Sequence, residues 1–141
     1  MIFWDSSALA RAYFESEPGH ARAKSLLRSP GRKHGSALLR PETASGVVRR
    51  YRHDRTLIEA TLDLLVDHLK DFDLVPIDDD LIERAVGLIR KHSLRGADAL
   101  HLAGALVLAR DLGRARFRFV TADAKQAAAA REEGLKVIQP E

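Results

Sequence analysis

The sequence contains no cysteine. Thiolate zinc sites, iron–sulfur clusters, disulfides and thiol nucleophiles are therefore excluded together, and any metal must be held by carboxylate or imidazole. Six histidines are present, but none falls in an HxH or HExxH spacing, so a histidine-based zinc site is not supported. No stretch of about 18 uncharged residues occurs, and the start, MIFWDSSALA, lacks a basic segment followed by a long apolar run. A soluble, cytoplasmic protein with no membrane partner is expected. Strong net charge is missing as well: 23 Lys and Arg against 20 Asp and Glu leave only +3, which does not by itself argue for nucleic acid. No repeat, low-complexity tract or Gly/Ser linker interrupts the chain, so residues 1–141 read as a single domain, with 45% apolar residues to build its core.

What is present alternates. Ile2 to Trp4 is a short apolar run ending at Asp5, and SSALARAYF follows with Leu9, Ala12 and Tyr13 at helical spacing. A second helix is expected from about Pro18 to the Ser29-Pro30-Gly31 break, then a strand over Lys33 to Leu38. Pro41 opens a helix carrying Glu42, Val47 and Val48, and another amphipathic helix spans Leu57 to Leu69. Asp73 to Pro76 is the third strand, and Asp78, Asp79 and Asp80 supply an N-cap for a helix through Ile89. Ala97 to Leu112 is helical, Phe117 to Val120 a strand, Ala122 to Glu133 a helix stopped by Gly134, and Lys136 to Ile138 a last strand. Strands separated by helices imply a parallel sheet covered on both faces.

Four acids share one topological property. Asp5, Glu42 and Asp123 follow the first, second and fourth strands, and Asp98 lies in the first turn of the helix leading into the fourth. Helices that follow a strand start at its carboxyl end, and a helix antiparallel to the strand it precedes also starts there. All four side chains are thus expected at one rim, where open α/β sheets bind ligands. Each also reads singly as a helix cap. Together, unpaired carboxylates raise one another's pKa, a cost that a hard divalent cation relieves, and Mg²⁺ or Mn²⁺ suits an all-oxygen site.

The contiguous Asp78 to Asp80 reads as a cap, because its side chains point different ways around a helix start. His101, three residues after Asp98, allows an Asp-x-x-His ligand pair; packing or a local hydrogen bond is the commoner fate of such a residue. Ser6, Ser7 and Thr121 stand beside the acids as candidate supporting hydroxyls or as local caps. Arg49, Arg50 and Arg52 flank Tyr51, partly as a solvated face and partly as candidates for phosphate contact or docking of an acidic partner.

The segments IFWDSSALA, SALLRPETASGVVRR, LRGADALHLAGAL and FVTADAKQAAAAREEGLKVIQP follow in order along essentially the whole chain, and in them the sequence resembles the PIN-domain family. Within that family it is similar to the VapC-type toxins of toxin–antitoxin pairs. The resemblance implies a three-layer α/β/α sandwich with a central parallel sheet of four or five strands. It makes Asp5, Glu42, Asp98 and Asp123 the acidic, metal-holding site, with Ser7 or Thr121 in support. It also implies a homodimer and a cognate antitoxin that inserts into the site. Pro41, directly before Glu42, is unusual for the pattern and bears on how far Glu42 reaches.

The expected activity is endonucleolytic hydrolysis of RNA by water activated on Mg²⁺, leaving a 5′-phosphate and a 3′-hydroxyl. The preference for RNA over DNA rests on resemblance alone. Only five Phe, two Tyr and one Trp are present, so arginines rather than aromatic platforms are expected to hold the strand. Three rivals make different demands on these positions. A phosphoacceptor signalling domain needs a receiving Asp at the end of the third strand, where Val75-Pro76-Ile77 stands, and a dehalogenase-type phosphatase needs Asp-x-Asp where Asp5-Ser6-Ser7 stands. A PIN-like module that binds without catalysis is opposed by the four carboxylates.

Overall fold

The computed structural model describes residues 1–141. Five strands, β1 (Ile2–Trp4), β2 (Lys33–Ser36), β3 (Phe72–Val75), β4 (Arg118–Val120) and β5 (Lys136–Ile138), form one sheet in the order β3-β2-β1-β4-β5. Every pairing is parallel, with Ile2 opposite both Lys33 and Arg118. The chain winds outward from β1 in one direction and then crosses to β4, which puts the topological switch point between β1 and β4.

Seven helices connect the strands: α1 (Ser6–Arg11), α2 (His20–Arg28), α3 (Leu39–Arg50), α4 (Arg55–Leu69), α5 (Asp79–His92), α6 (Gly96–Leu112) and α7 (Ala124–Glu132). Side chains alternate across each strand, and that alternation divides the core in two. Phe3, Phe117 and Phe119 pack with Leu81, Leu88, Leu102 and Ala130 of α5 to α7. Trp4 and Val120 pack with Leu9, Leu27, Leu39 and Leu65 of α1 to α4. The result is the three-layer α/β/α sandwich expected, with five strands. No helix is long and apolar enough to cross a membrane.

Helix α6 is buried along most of its length, including Ala99, His101, Leu102, Ala103, Gly104 and Ala105. Small residues let it lie close to the sheet: a Cβ on Gly104 would meet the Phe3 ring at 3.0 Å.

Several boundaries differ from expectation for local reasons. Helix α3 starts at Leu39, and its first backbone bond runs from Glu42 N–H to Leu38 C=O. Pro41 therefore occupies one of the three first-turn positions whose N–H would have no helical partner, and Glu42 keeps regular helical geometry. Strand β2 ends at Ser36 because Ser36 Oγ accepts the N–H of Leu38 and turns the chain. Helix α2 begins at His20, after Gly19 at φ 85°. Helix α4 begins at Arg55, capped by the Asp54 carboxylate. Helix α7 excludes Asp123, which sits in extended conformation as its cap, and ends before Gly134 at φ 86°.

Candidate active site

Asp5 terminates β1 and is almost wholly buried, at 1% exposure. Its Oδ2 accepts the Ser7 backbone N–H at 3.0 Å, capping α1, and also the Ser7 hydroxyl. Its Oδ1 accepts from Gln126 Nε2 at 3.2 Å. The cap and the site are thus the same side chain. A buried carboxylate with this many donors is fixed in orientation.

Thr121 and Ser7 complete the mount. Thr121 Oγ1 accepts Asp123 N–H at 3.1 Å and donates its one proton to Gln126 Oε1 at 2.6 Å. Ser7 Oγ accepts Ala122 N–H at 3.0 Å, leaving its proton for Asp5. Gln126, fully buried, donates additionally to the Asp98 carbonyl at 3.1 Å. One amide therefore ties β1, α6 and α7 together beneath the acids.

The other three carboxylates stand over this network. Asp123 Oδ1 caps α7 by accepting Gln126 N–H at 2.8 Å. Glu42 sits in the first turn of α3, where Oε1 accepts from Ser6 Oγ at 3.0 Å and from His101 Nε2 at 2.5 Å. Its carboxyl is held below the usual range, first by the His101 bond, then by Ser6 and the charge of Arg49, against the opposing effect of burial. Asp98, in the first turn of α6, carries no such donor. Burial, then the charges of Asp5, Asp123 and Glu42, push its carboxyl up to about 6, with only His101 acting in the other direction. Asp98 thus feels all three other acids.

Nevertheless, no three of the Asp, Glu and His side chains are drawn into a closed ligand shell. Oxygens of Asp5, Glu42 and Asp123 are already engaged by donors. The donor set itself fits a hard divalent cation: carboxylate oxygens only, crowded enough to favour protonation of one member.

His101 is not available as a ligand. Nε2 is taken by Glu42, and Nδ1 lies 2.9 Å from Ser36 Oγ. Burial lowers its basicity, but the Glu42 bond and the charges of Asp5, Glu42 and Asp98 outweigh this and raise it. The Asp78 to Asp80 cluster lies elsewhere. Asp78 caps α5 through Leu81 N–H, and Asp78 and Asp80 line a surface pocket with Val107 and Arg110. Val107 is nine residues, about 14 Å of helix, beyond Asp98. The arginine group also divides: Arg50 is bound to Glu17 at 2.6 Å and lies over the Phe14 ring, while Arg49 is exposed near Glu42.

Sequence reasoning missed Gln126, Ser36 and the role of His101. Gln126 left a faint trace, as the one amide in the alanine-rich run AKQAAAA. Ser36 left none.

A search of curated proteins returned no match. Among solved structures, the chain is similar to Mycobacterium tuberculosis VapC20, described as a Sarcin-Ricin loop cleaving toxin, with TM-score 0.73 and 21% identity over 99% of this chain and 100% of that one. It is also similar to a chain of a toxin–antitoxin complex from Klebsiella pneumoniae, with TM-score 0.61 and 23% identity over 100% of this chain and 98% of that one. FitAcB from Neisseria gonorrhoeae is a third, with TM-score 0.67 and 17% identity over 99% and 98%. These likenesses establish a shared fold. The family model for the PIN domain matches residues 2–112, a span that takes in Asp5, Glu42 and Asp98. Because that match takes in most of the 141 residues, the chain belongs to the PIN-domain family.

Proposed function

We propose that this protein is a divalent-metal-dependent endoribonuclease and the toxin of a toxin–antitoxin pair. The observation that carries the reading is the crowding of four carboxylates at the switch-point rim, where the charges of Asp5, Asp123 and Glu42 all bear on Asp98. Asp5, Asp98 and Asp123 would hold Mg²⁺ or Mn²⁺, with Glu42 as a further ligand or as the group that orients water. When bound, such an ion supplies charge neutralisation at a phosphodiester and lowers the pKa of water.

The chain's own residues do the rest. Asp5 is locked by Ser7 and Gln126, so it holds its place without reorganising. Glu42 has Oε1 engaged and Oε2 without a protein partner, which leaves Oε2 to serve as a further ligand or to orient the attacking water. The protons of Ser7 and Thr121 are committed inward, so these hydroxyls orient the acids and do not grip phosphate. Attack by water, with the RNA 2′-hydroxyl uninvolved, leaves a 5′-phosphate and a 3′-hydroxyl.

RNA as substrate, an inhibiting antitoxin and a homodimeric assembly are parts of this reading. The toxin descriptions of the structures above support the first two. A PIN-like module that binds without cutting is the rival. Incubation of structured RNAs with wild type, with Mg²⁺, Mn²⁺ or chelator, separates them. Metal-dependent cutting at discrete sites is expected, with Asp79→Asn within twofold of wild type. No cutting under any condition favours the silent module, and a large loss in Asp79→Asn would move the site to the other acidic cluster.

Arg49 is exposed and close enough for its charge to bear on Glu42, and it is expected to contact a substrate phosphate. Arg49→Ala should raise KM for RNA several-fold across unrelated sequences and reduce the slope of log affinity against log salt by about one. Filter binding at four salt concentrations measures this, and an unchanged slope removes Arg49 from the interface.

A further inference from the structure

We propose that His101, braced by Ser36, is a positioning residue that clamps Glu42 across the sheet rim so that only its Oε2 remains free for the reaction. This rests on the nuclease reading above and assigns a role to the one buried histidine beside the acids.

The clamp spans two layers. His101 projects from α6, on the face of the sheet that carries α5 to α7, and Glu42 belongs to α3 on the opposite face. The imidazole passes over the end of β2, where Ser36 meets it. His101 and Ser36 are both completely buried, at 0% exposure, so the bond between them does not compete with water.

The bond to Glu42 has a defined direction. Ser36 Oγ accepts Leu38 N–H at 3.2 Å and keeps its own proton for His101 Nδ1 at 2.9 Å. A neutral ring so bound carries its proton on Nε2, and a charged ring carries one there as well, with Ser36 then accepting at Nδ1. In both states Nε2 donates to Glu42 Oε1, so positioning does not depend on the charge of the ring. Ser6 donates to the same oxygen. Two donors on Oε1 fix the carboxylate plane, while Oε2 has no partner within the protein. Without the clamp, a glutamate on an open helix end would sample several rotamers and lose the preorganisation that the rim requires.

The test uses His101→Leu, which fills space without donating, and His101→Gln, whose amide can replace Nε2–H. For His101→Leu, kcat on RNA should fall about 10- to 100-fold with KM within twofold, and calorimetric affinity for Mn²⁺ should fall about tenfold. His101→Gln should recover both to within a few-fold. In a Glu42→Gln background, His101→Leu should cost no further Mn²⁺ affinity, because the group it positions is gone. Unchanged Mn²⁺ affinity in a folded His101→Leu protein overturns the proposal, as does equal impairment of the Leu and Gln variants. If the leucine variant does not fold, Ser36→Ala takes its place, since it removes the brace and keeps the ring; wild-type Mn²⁺ affinity there overturns the clamp. Failure of wild type to cut RNA would defeat the nuclease reading, and the Mn²⁺ titrations would still decide the clamp.

Discussion

Asp98→Asn removes metal-dependent cleavage, by on the order of 100- to 1,000-fold in kcat, while making the metal-free protein more stable at neutral pH. Both effects have one cause. Asp98 stands among the charges of Asp5, Asp123 and Glu42 with no donor of its own, and its carboxyl is pushed up to about 6 from an ordinary 3.8. The folded state therefore binds this proton more tightly than the unfolded chain does. The resulting stabilisation is complete below about pH 4 and is lost as pH rises through about 6, so at pH 7 the ionised group opposes folding. The side chain is only half-buried, and solvent screening reduces the effect to about 1 kcal/mol. Asparagine abolishes the charge and should recover that amount, read as a higher urea midpoint without metal.

The metal reverses the ranking. Saturating Mg²⁺ should stabilise wild type, by about 2.7 kcal/mol at a hundredfold excess over Kd, and should do little for Asp98→Asn. Protons compete with the cation for the same carboxylate, so cleavage should decline as pH falls through about 6. Cleavage that survives the substitution, or a variant less stable than wild type without metal, would contradict this account of the rim.

Asp5→Ala should lose cleavage to a similar degree and, unlike Asp98→Asn, should be destabilised by about 3 kcal/mol. The carboxylate accepts from Ser7 N–H, the Ser7 hydroxyl and Gln126 Nε2 in a site that water does not reach. Removing it deletes the cap of α1, worth about 1 kcal/mol, and strands buried donors at about 1–3 kcal/mol more. Asp5→Asn separates the two effects. Its carbonyl can still serve Ser7, but its amide faces the Gln126 amide, donor against donor. Turning Gln126 over would take its oxygen away from Thr121. A cost of about 1–2 kcal/mol is expected, with cleavage still lost. Urea denaturation of the two variants checks this, and an alanine variant as stable as wild type would show that the network does not hold the fold.

The contrast between these two acids shows what residue order can reveal. That Asp5, Glu42, Asp98 and Asp123 share a rim followed from chain direction alone, because a parallel sheet puts the start of each following helix at the same edge. The first strand was legible as the short apolar run Ile2 to Trp4, and helices from apolar spacing, since Leu81, Ala85 and Leu88 recur by four and three. Boundaries shifted where a local contact decided them, as the Ser36 hydroxyl did for β2, while α3 begins two residues before Pro41, which its first turn tolerates. Asp78 caps its helix, as its place in a contiguous acidic run implies, and that helix follows β3 but lies beside the far half of α6. Two helices separate β3 from β4, so α5 and α6 pair in antiparallel fashion, and only α6 starts at the acids.

From its sequence alone this protein is determined to be a cysteine-free α/β chain of PIN-like pattern with four acids in equivalent topological positions, because local periodicity and strand direction need no knowledge of which side chains meet. The tertiary structure decided how those acids are held. Gln126 reaches Asp5 across 121 residues of chain, and His101 reaches Glu42 across 59. Such bonds depend on how α3, α6 and α7 stack against the sheet, and on the burial that makes every unpaired donor costly. No spacing in the sequence encodes that packing.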